Sequence, residues 1–302
     1  MHGIVLRTYS DFFDVLAADD GAVWQCKVTG RLKKDVRRST LVAAGDRVEF
    51  EPVDVMTRLG QIGVIAEREH VLSRLRPDSG YPYEDVILAN PDEIMIVFAA
   101  ARPEPHLRLL DRFLVAAEAA DAETIFIVAN KVDVCGEEAA RQLFGPYEAI
   151  GYPVFYTSAK TGAGIESLRS QMRDRITVVA GPSGVGKSSL INAIEPGLNL
   201  RVGEVMVVGK GRHTTTAAQL HPLDNGGFIA DTPGLRELGL WDVRPEELSD
   251  YFPEIRSRAA HCRFSFCSHL HEPDCAVRLA VVTGDIIPAR WESYQRLFAG
   301  DV

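Results

Sequence analysis

Gly181-Pro182-Ser183-Gly184-Val185-Gly186-Lys187-Ser188 has the spacing of a phosphate-binding loop. Its glycines would let backbone N–H groups wrap an anion, and the N-terminus of a following helix would add positive potential. Lys187 would reach the β and γ phosphates of a nucleoside triphosphate, and Ser188 would ligate Mg²⁺. The apolar run Thr177-Val178-Val179-Ala180 precedes the loop, and helix-forming residues follow from Ser188. Strand, loop and helix in that order are the context this chemistry needs.

Asp231-Thr232-Pro233-Gly234 lies about 45 residues further on, after the apolar strand candidate Phe228-Ile229-Ala230. A carboxylate there can hold the Mg²⁺ shell, and the Gly234 N–H can sense the γ-phosphate. Asn130-Lys131-Val132-Asp133 follows the strand candidate over 124–129. Asp133 can accept hydrogen bonds from the ring N–H and exocyclic amine of guanine, a pair that adenine does not offer. The stem of Lys131 can cover the ring. Ser158-Ala159-Lys160 follows another strand candidate, and the Ala159 N–H can bond the guanine carbonyl. Each motif is weak alone; at strand ends beside a phosphate loop they read as a guanine pocket.

The order is unusual. A conventional GTPase runs phosphate loop, switch threonine, DxxG, NKxD and SAK. Here the last two come first, and the cyclic order is preserved. The expectation is a circular permutation, with the helix over 165–175 joining the old ends. The remaining switch is Lys210-Gly211-Arg212-His213-Thr214-Thr215-Thr216. Thr215 or Thr216 would close on Mg²⁺. Leu235, after Gly234, has no polar group to orient a water, so His213 is the candidate for that role; a solvated loop histidine is the alternative.

Cys262, Cys267 and Cys275 fall close together, with His269, His271 and His261 beside them. Three thiolates and one histidine suit a closed, structural Zn²⁺ site. His269 is the preferred fourth ligand, with His271 and His261 as alternatives.

These residues need elements to hold them. The chain has 302 residues, 46% apolar and 25% charged, which excludes a long disordered chain and suggests two or three domains. No apolar run reaches membrane-span length, and the start lacks a secretory pattern, so the cytoplasm is expected. A net charge of −9 argues against a globally basic nucleic-acid coat. Residues 1–72 read as short strands, best closed into a small all-β barrel. Between them Arg31, Lys33, Lys34, Arg37 and Arg38 form the densest positive segment, read either as an RNA-contacting loop or as a solvated one. Residues 76–85 look like a connector. From 93 onward, buried strands alternate with helices over 107–120, 137–150 and 165–175, which predicts an α/β domain with a mostly parallel sheet. Helices are expected over 248–259 and 288–298.

Together the motifs resemble one family: the circularly permuted GTPases of small ribosomal subunit biogenesis, the RsgA family. The resemblance covers essentially the whole chain and rests on NKVD, SAK, GPSGVGKSS (through Ser189), GRHTTT and DTPG in permuted order, then Cys-x4-Cys-x-His-x5-Cys. It implies a multidomain protein: an N-terminal OB-fold barrel over 1–72, a permuted G domain over 86–236 and a helical zinc-binding domain over 237–302. It implies Cys262, Cys267, His269 and Cys275 as zinc ligands and a hydrolytic role for His213. It also implies weak GTP hydrolysis, stimulated by the small subunit late in maturation. The expected partners are GTP, GDP and the small subunit with its RNA, without a membrane, for a monomer. The sequence has almost no basic extension before the barrel, so the loop 31–38 is expected to matter more for ribosome affinity. Two rivals are an ATP-dependent P-loop kinase, against which Asp133 argues, and an RNA-binding module that uses GTP only structurally.

Overall fold

The computed structural model describes residues 1–30, 32, 39–76, 83–198, 218–231 and 243–300; of Asp231 it describes the backbone. Arg31, Lys33, Lys34, Arg37, Arg38, His213, Thr215, Thr216 and Gly234 lie outside the described residues.

Five strands build the barrel: β1 His2–Tyr9, β2 Phe12–Ala17, β3 Val23–Val28, β4 Arg47–Asp54 and β5 Leu59–Ile65. In β3, Trp24, Cys26 and Val28 point inward, while Val23, Gln25 and Lys27 are exposed. That period of two places Trp24 against Phe50, with ring centroids 5.7 Å apart. β5 runs parallel to β3 and antiparallel to β4. β4 returns to pair with the first residues of β1, which closes the barrel and removes its edges. The register of β1 shifts between Val5 and Arg7, and Arg7 then pairs with Gln219 of the next domain. The bulge thus lets one strand serve both the barrel and the neighbouring sheet.

A hairpin follows, β6 Val71–Arg76 and β7 Tyr83–Ala89. The end of the expected connector, from Tyr83, is therefore strand. Its alternation becomes visible only against its partner, β6.

The central domain contains β8 Glu93–Ala99, α1 Leu107–Ala119, β9 Thr124–Asn130, α2 Val132–Cys135, α3 Glu137–Ala149 and β10 Val154–Thr157. It continues with α4 Ile165–Gln171, β11 Ile176–Ala180, α5 Lys187–Ile194, β12 Gln219–Pro222 and β13 Phe228–Asp231. The sheet order is β10-β9-β8-β11-β13-β12, parallel except for β12. Ile94, Ile96 and Phe98 of β8 pack with α1 and α3, and Met95, Val97 and Ala99 pack with α4 and α5. Cover on both faces explains the unbroken apolar run of β8. β12 was not evident in the sequence, because it is short, polar and ends in proline. The helix expected over 165–175 stops at Gln171. The chain must turn there to enter β11, and Asp174 adopts φ +57 in doing so.

The C-terminal part holds a 3₁₀ turn, Pro245–Tyr251, then α6 Pro253–Ala259, α7 Ala276–Thr283 and α8 Pro288–Phe298. The single helix expected over 248–259 is broken at Phe252, which is extended because Pro253 excludes the helical region for the residue before it. Leu248, Phe252, Ile255, Val277 and Tyr294 form its core, joined by Val115 of α1. No helix among the described residues is long and apolar enough to cross a membrane.

Candidate functional site

Ligands of an open parallel sheet sit beyond the carboxyl ends of its strands. There the loop after β11 runs from Gly181 into α5. Gly181 takes φ +137, and a Cβ on it would stand 2.2 Å from the Val97 carbonyl oxygen. Gly186 takes φ +97, and a Cβ there would stand 2.6 Å from the Asn130 amide nitrogen. Only glycine lets the loop press this closely against the ends of β8 and β9. Among the described residues, the N–H groups of Gly184, Val185 and Gly186 have no protein acceptor. The buried Lys187 ammonium donates to the carbonyls of Gly181 and Pro182, both at 2.7 Å. Ser188 is buried beside it in the first turn of α5, and Ser183 and Ser189 flank the cradle.

Asn130 is the last residue of β9, buried, and it fastens three loops together. Its Nδ2 donates to the Val185 carbonyl at 3.0 Å. Its Oδ1 accepts from Thr157 Oγ1 and from the Ala159 N–H, both at 3.3 Å. Lys131, at φ +66, sends its ammonium to the carbonyls of Gly184 at 2.7 Å and Arg102 at 2.6 Å. Val132 packs into the core below, and Ser158 Oγ donates to Asp133 Oδ1 at 2.6 Å. Lys160 is exposed on the adjoining turn. The structure therefore brings the phosphate loop, NKVD and SAK to one edge. Asp231 ends β13, which lies beside β11 and so next to the phosphate loop.

Sequence reasoning missed the Arg102 carbonyl and Thr157. Neither belongs to a motif.

A second cluster lies far along the chain. The ligand atoms of Cys262, Cys267, His269 and Cys275 lie within 4.8 Å of one another. His269 Nδ1 stands 3.5 Å from the sulfurs of Cys262 and Cys275, which are 3.8 Å apart. His261 and His271 are exposed and stand outside the cluster. Burial pushes the Cys267 thiol up to about 12 and lowers the pKa of His269, leaving the imidazole neutral at pH 7. Such a group of three thiols and a neutral imidazole can hold a metal ion.

A buried ionic network joins α1, α6 and α8. Arg290 of α8 donates to Asp111 of α1 at 2.8 Å and to both carboxylate oxygens of Glu254, at 2.7 and 3.2 Å. Tyr147 of α3 donates to the same Asp111 oxygen at 2.8 Å.

A P-loop sheet whose NKVD and SAK loops precede the phosphate loop, with a closed barrel before it and a cysteine–histidine cluster after it, defines the circularly permuted GTPases. The RsgA GTPase family model matches residues 65–241, and the RsgA N-terminal domain model matches residues 2–58. The small ribosomal subunit biogenesis GTPase RsgA of Gemmatimonas aurantiaca is 46% identical over 296 residues, covering 98% of this chain and 95% of that protein. RsgA of Moorella thermoacetica is 42% identical over 300 residues, covering 99% and 97%. The crystal structure of YjeQ from Thermotoga maritima matches with a TM-score of 0.80 at 36% identity, covering 99% and 97% of the two chains. YloQ, described as a circularly permuted GTPase, matches at 0.77 and 31%, covering 99% and 94%. This chain belongs to the RsgA GTPase family.

Proposed function

We propose that this chain hydrolyses GTP on the maturing small ribosomal subunit, in the cytoplasm, as a monomer. We assign its barrel to 1–72, its G domain to 86–236 and its metal-binding domain to 237–302. The observation that carries the reading is the convergence of the phosphate loop, NKVD and SAK on Asn130. Curated relatives over nearly the full length bear the name of a small-subunit biogenesis GTPase, which supports the ribosomal setting.

In this reading Asp133 selects guanine, and the Lys131 stem, already lying along the phosphate loop, covers the base. Lys187 turns from the loop carbonyls to the β and γ phosphates. With the N–H groups of Gly184, Val185 and Gly186, it stabilises charge developing as water attacks phosphorus. Ser188, Thr215 or Thr216, and the Asp231 carboxylate would hold Mg²⁺, which would neutralise phosphate charge. His213 accepts a hydrogen bond from the attacking water. Gly234 reports the γ-phosphate.

The metal of the C-terminal cluster is assigned as zinc. Tetrahedral Zn²⁺ with bonds of about 2.3 Å to sulfur and about 2.0 Å to nitrogen sets S···S edges of about 3.8 Å and S···N edges of about 3.5 Å. The Cys262, Cys275 and His269 separations agree with both. Zinc would pair the thiolate charge that burial resists and would tie 262–275 into one unit. Arg31, Lys33, Lys34, Arg37 and Arg38 are assigned to ribosomal RNA.

The test is phosphate release from GTP and from ATP, with and without purified small subunits. GTP turnover stimulated by the subunit is expected. Equal use of ATP would sink the guanine pocket, and turnover indifferent to subunits would sink the ribosomal role.

A further inference from the structure

The two ends of the barrel differ in chemistry. β3 and β5 run parallel, with Gln25 opposite Leu59, so both begin at the same end. The β2–β3 turn and the β4–β5 hairpin tip therefore lie together there. β3 ends at Val28, at the other end of the barrel.

Large exposed apolar side chains gather at the first end: Val53 is 68% exposed, Val55 68% and Met56 92%, with Val23 and Leu59 beside them. Isolated exposed apolar residues are ordinary, but a cluster on one hairpin marks a contact. The tip is held in shape. Asp54 Oδ1 accepts from the Met56 N–H at 2.9 Å, and the Gln25 N–H donates to the Arg58 carbonyl at 2.9 Å. Around the apolar residues stand the exposed carboxylates of Asp19, Asp20, Glu51 and Asp54, which outnumber the cations Arg58, Lys27 (level with Glu51 across Gln61) and the Met1 ammonium, bound to the Phe50 carbonyl at 3.0 Å.

An acidic rim repels phosphates, so this end is unsuited to RNA. Apolar anchors inside a carboxylate ring suit a protein surface rich in lysine and arginine. We propose that the β4–β5 hairpin tip docks onto a basic protein surface of the small subunit. The inference rests on the ribosomal reading above, and adds a protein contact to it.

The test places a photo-crosslinking amino acid at Met56 in the full chain. The chain is bound to purified small subunits, separated by sedimentation and irradiated. A crosslink to a lysine- and arginine-rich stretch of a small-subunit protein is expected. A crosslink to RNA, or to a second copy of the chain, or none from cosedimenting protein, would overturn the proposal. A chain that does not sediment with subunits at all would overturn the ribosomal reading itself, and this inference with it. Charge reversal gives an independent arm. Asp19→Lys with Glu51→Lys should weaken subunit binding about tenfold and leave subunit-free GTP turnover unchanged. Tighter binding from that variant would mean the tip faces phosphate, and would equally overturn the proposal.

Discussion

The side-chain amide of Asn130 donates to the backbone carbonyl of Val185, which makes the end of β9 a structural part of the phosphate loop. Two segments 55 residues apart are thereby locked in one arrangement. In the same side chain, Oδ1 accepts from the Ala159 N–H, so the SAK loop and the phosphate loop are tied to one residue. Precise spacing between base and phosphate sites is what nucleotide selectivity needs.

Asp133→Asn should change the base that is preferred. An amide presents a donor toward the guanine ring N–H in place of an acceptor. GTP binding should weaken by about 1–3 kcal/mol, and xanthosine triphosphate, which offers a carbonyl there, should gain. Titrating both nucleotides against both proteins checks it; unchanged GTP affinity would remove Asp133 from the base site.

His213→Ala should separate binding from hydrolysis. A methyl group cannot accept a hydrogen bond from water, and positioning of this kind contributes roughly 10²–10⁴-fold. GTP affinity and subunit binding should persist. Single-turnover hydrolysis on saturating small subunits is the measurement. A mutant rate close to that of the natural chain would place water orientation on another group.

Cys267→Ser should lower bound zinc well below about one ion per chain and loosen the segment 262–275. GTP affinity should be unchanged, because the cluster stands apart from the phosphate loop. Metal analysis with amide exchange across 262–275 provides the check. Full zinc occupancy after the substitution would refute the ligand set.

Arg290→Met should loosen the C-terminal domain from α1. Burial works against the Arg290 charge, but Asp111 and Glu254 outweigh it and hold its pKa above the ordinary arginine value. Removing that cation leaves two carboxylates buried without a counter-charge, a loss of about 3–5 kcal/mol. Denaturant unfolding should show the loss. Adding Glu254→Gln to the variant should recover part of it; no recovery would mean the damage is steric.

Glu93→Gln should stabilise the protein more as pH rises. Glu93 is fully buried at the start of β8, where Thr177 Oγ1 donates at 2.7 Å and Gln171 Nε2 at 2.9 Å. Burial disfavours its charged form and raises its pKa above the usual glutamate value, despite those hydrogen bonds. With the folded pKa above the unfolded one, stability falls as pH rises through that interval. Glutamine never ionises, so the gain in Tm over the natural chain should grow between about pH 4 and about pH 7. An equal shift at both ends would exclude Glu93 as the source.

The sequence by itself determined the chemistry and its order. Gly181 to Ser188, NKVD and SAK are short and contiguous, and each carries its geometry in its own spacing. The permutation was legible for the same reason, since chain order is all it requires. The cysteine spacing narrowed the metal cluster to one histidine among three, and the fold chose His269 by burying it while leaving His261 and His271 in solvent. Other features existed only in three dimensions. β12 has no pattern of its own and becomes a strand by pairing with β13. Asp111, Glu254 and Arg290 come from three distant segments, and their network forms only where α1, α6 and α8 pack. The acidic, apolar end of the barrel depends on β3 and β5 running parallel. Local motifs are written in residues a few positions apart. Contacts between remote segments are decided by which faces must leave water together, and that is settled only when the whole chain packs.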